Sequence, residues 1–251
     1  MWGQETWTIV VAGVLSAVVA AGIAWFLRKR EREPEDVTIG FLGPSLAAMY
    51  LLVLALALAT EWSTIGTAQQ AVGNEAVAVR QLYWAASGLP QPAASNLEAQ
   101  IGGYLTTVIH HDWPQMQQGT LDDLSDQQLS TMSTFVLRLN ETSSGASNAQ
   151  QYALAQLSVL ASARAQRASA ADSRLPLGVL VAVIVTSLIV CVFPFAGGIK
   201  SDKMSIAIVV LQSALVAVAV VVVFQLNNPF TGPLATTPDS LTSVAALVGV
   251  R

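Results

Sequence analysis

Charge is missing from this sequence where its absence matters most. The chain has 251 residues, with 12 basic and 16 acidic side chains, yet none of these falls within residues 6–27, 37–60, 175–199 or 204–226. Each of those four runs is strongly apolar and 22 to 25 residues long. A bilayer core of about 30 Å is crossed by about 20 helical residues. The pattern therefore predicts four transmembrane helices. Proton- and ion-coupled transporters usually carry ionisable groups inside their spans, so spans without any argue against a proton-coupled pump.

Other scarcities exclude other classes. The single cysteine, Cys191, lies inside the third run, so no intrachain disulfide forms and the redox compartment is not legible. The only two histidines are the neighbours His110 and His111. Adjacent helical residues point about 100° apart, and no His pair at i, i+4 or cysteine pair exists to replace them. No metal and no cofactor is predicted. GxSxG, Walker, GxGxxG and HExxH patterns are all absent, which points to a non-enzymatic protein. Residues 61–174 hold five arginines against nine carboxylates, so no basic face invites nucleic acid. No Lys or Arg precedes the first run, which is also longer than the core of a secretory signal, so it reads as a retained span.

The remaining polar residues are unevenly distributed. They predict a first transmembrane hairpin over residues 1–60 (spans 6–27 and 37–60) and a water-facing helical domain over 61–174. A second hairpin follows over 175–226 (spans 175–199 and 204–226), then a tail over 227–251 with a short amphipathic helix. The expected fold is all-α, with a four-helix bundle inserted between spans two and three. Arg28, Lys29, Arg30 and Arg32 follow span one, and Lys200 and Lys203 lie between spans three and four. Basic short loops stay in the cytoplasm, which puts the bundle and both termini outside a bacterial cell membrane. Nine arginines against three lysines, with abundant Ala and Val, suggest a GC-rich bacterial genome.

Periodicity sketches the bundle. Gly40, Gly43 and Pro44 predict a kink or a late helix start in span two. From Ser45 a helix runs without a breaker to about Ala86, with Ile65, Ala68, Val72, Val79 and Leu82 on one face. A second helix opens at Pro92 and stops near Trp113-Pro114. Ser125 and Gln128 have capping-box spacing and open a third. A fourth runs from about Asn148 towards span three, with a kink at Pro176. Thr237-Pro238-Asp239 starts the last short helix, whose apolar face could meet the bundle, lipid or a neighbouring subunit.

Among these residues Glu75 stands out, because it shares the buried stripe of Val72, Val79 and Leu82. A buried carboxylate needs a partner. Counting 1.5 Å per residue from each membrane edge makes Arg164 the first choice and Arg167 the second. Two readings stay open, a structural ion pair or a ligand site between helices. Gln212 and Ser213 are the polar residues of most interest in the spans, and Gln212 fits either an interhelical hydrogen bond or a pore-facing amide.

Several motifs, taken in order, resemble the bestrophin-like family of bacterial, actinobacterial-type, multi-pass membrane proteins. They are Gly73-Asn74-Glu75-Ala76 with Leu82-Tyr83, Asp112-Trp113-Pro114, Arg164 and Arg167 ahead of Leu175-Pro176, and Asn228-Pro229-Phe230-Thr231-Gly232. The family often has Asp where this chain has Asn228. The resemblance implies a helical domain between two hairpins and a homo-oligomeric anion channel. Bestrophins keep that domain in the cytoplasm, opposite to the side the basic loops indicate. The expected function is an ion (anion) channel-like protein whose partners are the lipid bilayer and copies of itself. The alternative is an envelope protein whose outer bundle senses a ligand or docks a membrane or envelope partner.

Overall fold

The computed structural model describes residues 36–139, 143–196, 203–232 and 234–249. The first expected span, at residues 6–27, lies outside them, as do the basic residues from Arg28 to Arg32 and Lys200. The described residues are helical with no strand. The helices are α1 (Asp36–Ser87), α2 (Ala93–Thr107), a π-helical turn over Val108–Asp112, α3 (Trp113–Gln117), α4 (Leu124–Leu137), α5 (Ser144–Asp172), α6 (Leu177–Ala196), α7 (Lys203–Leu226) and α8 (Asp239–Val248). Among the described residues, three apolar stretches are long enough to cross a membrane, within Leu42–Ser87, within Ser144–Pro194 and over Met204–Leu226. The chain divides into two compact units.

The first unit comprises Met1–Trp62 and Arg174–Asn227. Its described part is the first half of α1 with α6 and α7. Ala57, Leu175, Val183 and Val223 form one buried cluster, and Tyr50, Val190 and Val216 a second. Large apolar side chains point outward, including Leu51, Leu56, Leu188 and Leu215, with Leu52 at 72% exposure. In water such a surface would drive aggregation, whereas in a bilayer it is the ordinary lipid-facing side of a spanning helix. Pro44 lies inside α1, which starts at Asp36. The expectation of a late helix start after Pro44 is corrected accordingly.

The second unit comprises Ser63–Ser173 and Asn228–Arg251. The stripe read from the sequence is its core: Ala68, Val72, Val79, Leu82 and Ala86 of α1 meet Leu97, Ile101 and Leu105 of α2. Leu129, Met132 and Val136 of α4 and Ala153, Leu157 and Leu160 of α5 complete it. Leu241, Val244 and Ala245 of α8 join the same core, so the last helix packs into the second unit. Gly249 ends α8 at φ 81°, the left-handed conformation that glycine adopts at low cost.

Two helix starts differ from expectation. Helix α5 begins at Ser144, because the Ser143 hydroxyl accepts the Ala146 N–H at 3.2 Å and caps it four residues earlier than expected. Ser125 is not a cap. It lies inside α4, its hydroxyl donates to Asp112, and Gln128 Nε2 donates to Thr107 Oγ1 at 2.9 Å. Tertiary partners outcompete the local capping box at both residues.

Candidate functional site

The site begins with a proline. Pro114 has no N–H, so the His110 carbonyl has no donor four residues on. The chain responds with a π-helical turn over Val108–Asp112, in which the Trp113 N–H reaches back five residues to the Val108 carbonyl. One extra residue in a helix rotates the downstream side chains by about 100°. Asp112, Trp113 and Met116 are all buried after this turn.

Asp112 thereby joins a closed ionic cluster. The Arg167 guanidinium on α5 donates from Nε to Glu75 Oε2 at 2.6 Å and from Nη2 to Glu75 Oε1 at 3.2 Å. Nη2 also donates to Asp112 Oδ2 at 3.0 Å, and Nη1 approaches Met116 Sδ at 3.2 Å. The Tyr104 hydroxyl of α2 donates to Glu75 Oε1 at 2.6 Å, and Ser125 donates to Asp112. Glu75, Asp112 and Arg167 are each 0% exposed. Burial works against the Arg167 charge, but Glu75, Tyr104 and Asp112 outweigh it and hold the guanidinium above its ordinary pKa. Burial first, and then the Glu75 charge, push the Tyr104 hydroxyl well above its ordinary value, so it stays a donor.

Arg167 therefore takes Glu75, and the expectation that Arg164 comes first is corrected. Its register count assumed unbroken helix down to the membrane edge, whereas α5 ends at Asp172 and α6 starts at Leu177. Arg164, 2% exposed, turns instead to the rim, with Nη1 3.0 Å from Asp126 and Nη2 donating to the Asp122 carbonyl at 3.0 Å. Asp122 organises that loop. It lies 2.7 Å from His111 Nε2, accepts from Gln115 Nε2 at 3.1 Å and takes the Leu124 N–H at 3.1 Å. The His111 contact, the Leu124 N–H and Gln115 lower its pKa to about 2. A cavity of ≈ 270 Å³ opens beside Arg164, Asp122, Asp123, Asp126 and Asp172. The other sequence candidates lie in the first unit. Gln212 Nε2 donates to the Val190 carbonyl at 3.2 Å, and Ser213 is buried beside Cys191.

The segment from Asn228 onward packs against Trp113 and the Met116–Gln117 backbone. Asn228 Oδ1 accepts the Phe230 N–H at 2.9 Å, and its Nδ2 faces the Met116 and Gln117 carbonyls at 3.4 Å. Phe230 is fully buried and meets the Trp113 ring edge-on, with centroids 5.4 Å apart at 87°. Four separate sequence motifs thus supply Glu75, Asp112 with Trp113, Arg167, and Asn228 with Phe230 to one place. The sequence matches the Bestrophin-like domain over residues 9–241. The chain belongs to the bestrophin-like family. Its fold is similar to crystal structures of point-mutated bacterial bestrophin homologues from Klebsiella pneumoniae. One gives a TM-score of 0.71 at 14% identity, covering 96% of this chain and 98% of that one. Another gives 0.69 at 15% identity, covering 98% of each. A further crystal structure, described as a membrane protein, gives 0.71 at 14% identity over 96% of this bestrophin-like chain and 97% of its own. No curated protein matches the sequence.

Tyr104, Asp112, Met116, Ser125 and Phe230 were not legible as site residues. Tyr104 and Met116 look like core in any periodicity. Asp112 sat beside two histidines at an expected helix end. The usable signal was Pro114, whose missing donor displaces the helical register just where Asp112 needs to turn inward.

Proposed function

We propose that this bestrophin-like protein is the subunit of a homo-oligomeric membrane channel for small ions, with anions the species implied by its family. The observation that carries this reading is the family match over 9–241 together with the apolar runs over residues 37–60, 175–199 and 204–226, which hold no charge. Charge-free walls suit a gate that closes by dewetting. In this reading four spans form two hairpins, with the helical unit inserted between spans two and three. The Glu75–Arg167–Asp112 cluster is structural: at 0% exposure it meets no substrate, and it locks the helices of that unit in register. This supports a non-enzymatic role.

Purified protein in a planar bilayer should show discrete conductance in symmetric chloride salt. A protein that stays silent across salts and voltages would overturn the channel reading, and a stable partner recovered in mild detergent would then favour the docking role. For orientation, Arg28, Lys29, Arg30, Arg32, Lys200 and Lys203 support a bundle outside the cell. In a Cys191→Ser background, an impermeant thiol reagent on intact cells should label Ser95→Cys and spare Ser201→Cys. The opposite pattern would place the bundle in the cytoplasm.

A further inference from the structure

We propose that Glu61 is a proton-binding site: its carboxyl takes up a proton in the folded protein and, while protonated, holds α1 against α6 and α7 at one end of the first unit. Glu61 is 2% exposed. Its Oε1 is enclosed with no hydrogen-bond partner. No arginine, lysine or histidine among the described residues lies within ion-pair distance of it. Glu75, equally buried, has Arg167 and Tyr104; Glu61 has neither kind of partner.

Helical register places the group. Glu61 follows Ala57 by four residues, so the two share one face of α1. Ala57 is 0% exposed and packs with Leu175 just before α6, with Val183 inside it, and with Val223 in the last turn of α7. Glu61 therefore extends an apolar seam towards the end where Leu175 and Asn227 meet. The Leu175 N–H there already donates to Asn227 Oδ1 at 2.7 Å. Titratable neighbours are few. Along α1 the preceding one is Tyr50, three turns away. Helix α6 holds only Cys191, and Arg174 ahead of it is exposed and makes no ion pair. Helix α7 holds only Lys203, at its opposite end.

These surroundings select the ligand. A buried carboxylate without a cation or a donor neutralises by binding a proton. No group of three acidic, histidine or cysteine side chains gathers among the described residues, so nothing favours a divalent ion instead. At 2% exposure within a single chain, no side chain of a second copy can reach the carboxyl. Burial pushes it from an ordinary 4.5 up to about 7, so the proton comes and goes in the neutral range. Losing it leaves a bare charge on the apolar seam, which loosens α1 from α6 and α7.

The test uses full-length protein in detergent. A protonated carboxylic acid has an infrared carbonyl stretch that a carboxylate lacks. At about pH 6 that band should be present in the wild type and absent in Glu61→Gln, and it should fade as pH rises through about 7. Melting gives a second readout. A carboxyl whose folded pKa is raised favours the fold most below its unfolded value and loses that contribution as pH rises to the folded one. The wild-type melting temperature relative to Glu61→Gln should be level below 4.5, fall steadily up to about 7 and level off above it. The fall corresponds to about a tenfold loss in the folding constant per pH unit. Glu61→Met, apolar and of similar length, repeats both comparisons where the amide disturbs the packing. A band missing from the wild type, a band that persists in both variants, or wild-type melting parallel to theirs across this range would overturn the proposal. Conductance enters neither readout, so an electrically silent protein would leave this site standing.

Discussion

Arg167 and Glu75 lie 92 residues apart in the chain and 2.6 Å apart in the folded protein, both fully enclosed. A pair of this kind contributes less to net stability than its geometry suggests, because both charges lose their water. What it imposes is a penalty for breaking it. Glu75→Gln and Arg167→Ala should each destabilise the protein by about 3–5 kcal/mol, since each leaves a buried charge without its partner. The double variant should lose clearly less than the sum. Glu75→Gln combined with Arg164→Ala should be close to additive, because Arg164 answers to Asp126, which is about half exposed. Strong coupling of Glu75 to Arg164 in a double-mutant cycle would contradict the structure.

Much of this arrangement was legible in the sequence, for a physical reason. The stripe Val72, Glu75, Val79, Leu82 repeats at helical spacing, and a carboxylate on an apolar stripe has to find a cation. The identity of that cation was not legible. It depends on where α5 stops, and the break over residues 173–176 removes the common ruler that a residue count needs. Ser125 failed for a related reason: a local capping pattern describes only neighbours in sequence, whereas Asp112 reaches Ser125 through a turn created by Pro114.

The Tyr104 hydroxyl supplies the second donor to Glu75 Oε1, at 2.6 Å. Tyr104→Phe keeps the ring and removes only that bond. A hydrogen bond to a charged group contributes about 1.5–3 kcal/mol, and the loss should fall in that range by chemical denaturation. In a Glu75→Gln background the same substitution should cost less, since the acceptor is then neutral. An equal cost in both backgrounds would mean that the hydroxyl does not act through the Glu75 charge.

Asp122 predicts an acid response at the rim. Its folded pKa is about 2 against an ordinary 3.8, depressed first by His111, then by the Leu124 N–H and Gln115. A depressed carboxylate stabilises the fold fully above the unfolded value and loses that contribution as pH falls through the folded one. Wild-type stability relative to Asp122→Asn should therefore be flat above about pH 4 and shrink between about pH 4 and 2. The site is exposed, so added salt should reduce the effect. A difference that stays constant down to pH 2 would show that Asp122 is not held by charge.

Phe230 anchors the segment after α7 by filling space against Trp113. Phe230→Ala removes a fully buried ring and should cost about 3–5 kcal/mol, with Phe230→Leu well below that because more of the volume stays filled. Hydrogen exchange should rise in α3 as well, since Asn228 next door faces the Met116 and Gln117 carbonyls. Unchanged exchange in α3 would limit the role of Phe230 to its own loop.

Gln212 separates a structural amide from a conducting one. Its Nε2 donates to the Val190 carbonyl across the α6–α7 contact at 3.2 Å, so one donor is already committed to helix packing. Such bonds within a membrane average about 0.6 kcal/mol and reach about 1.7. Gln212→Leu should therefore lower the melting temperature slightly and leave both the oligomer size and the unitary conductance unchanged. Gln212→Glu should be worse tolerated, because a carboxylate cannot donate to the carbonyl and introduces an ionisable group among apolar helices. If Gln212→Leu instead cuts conductance in an intact oligomer, the amide faces the ion path and the bond to Val190 yields when the channel conducts.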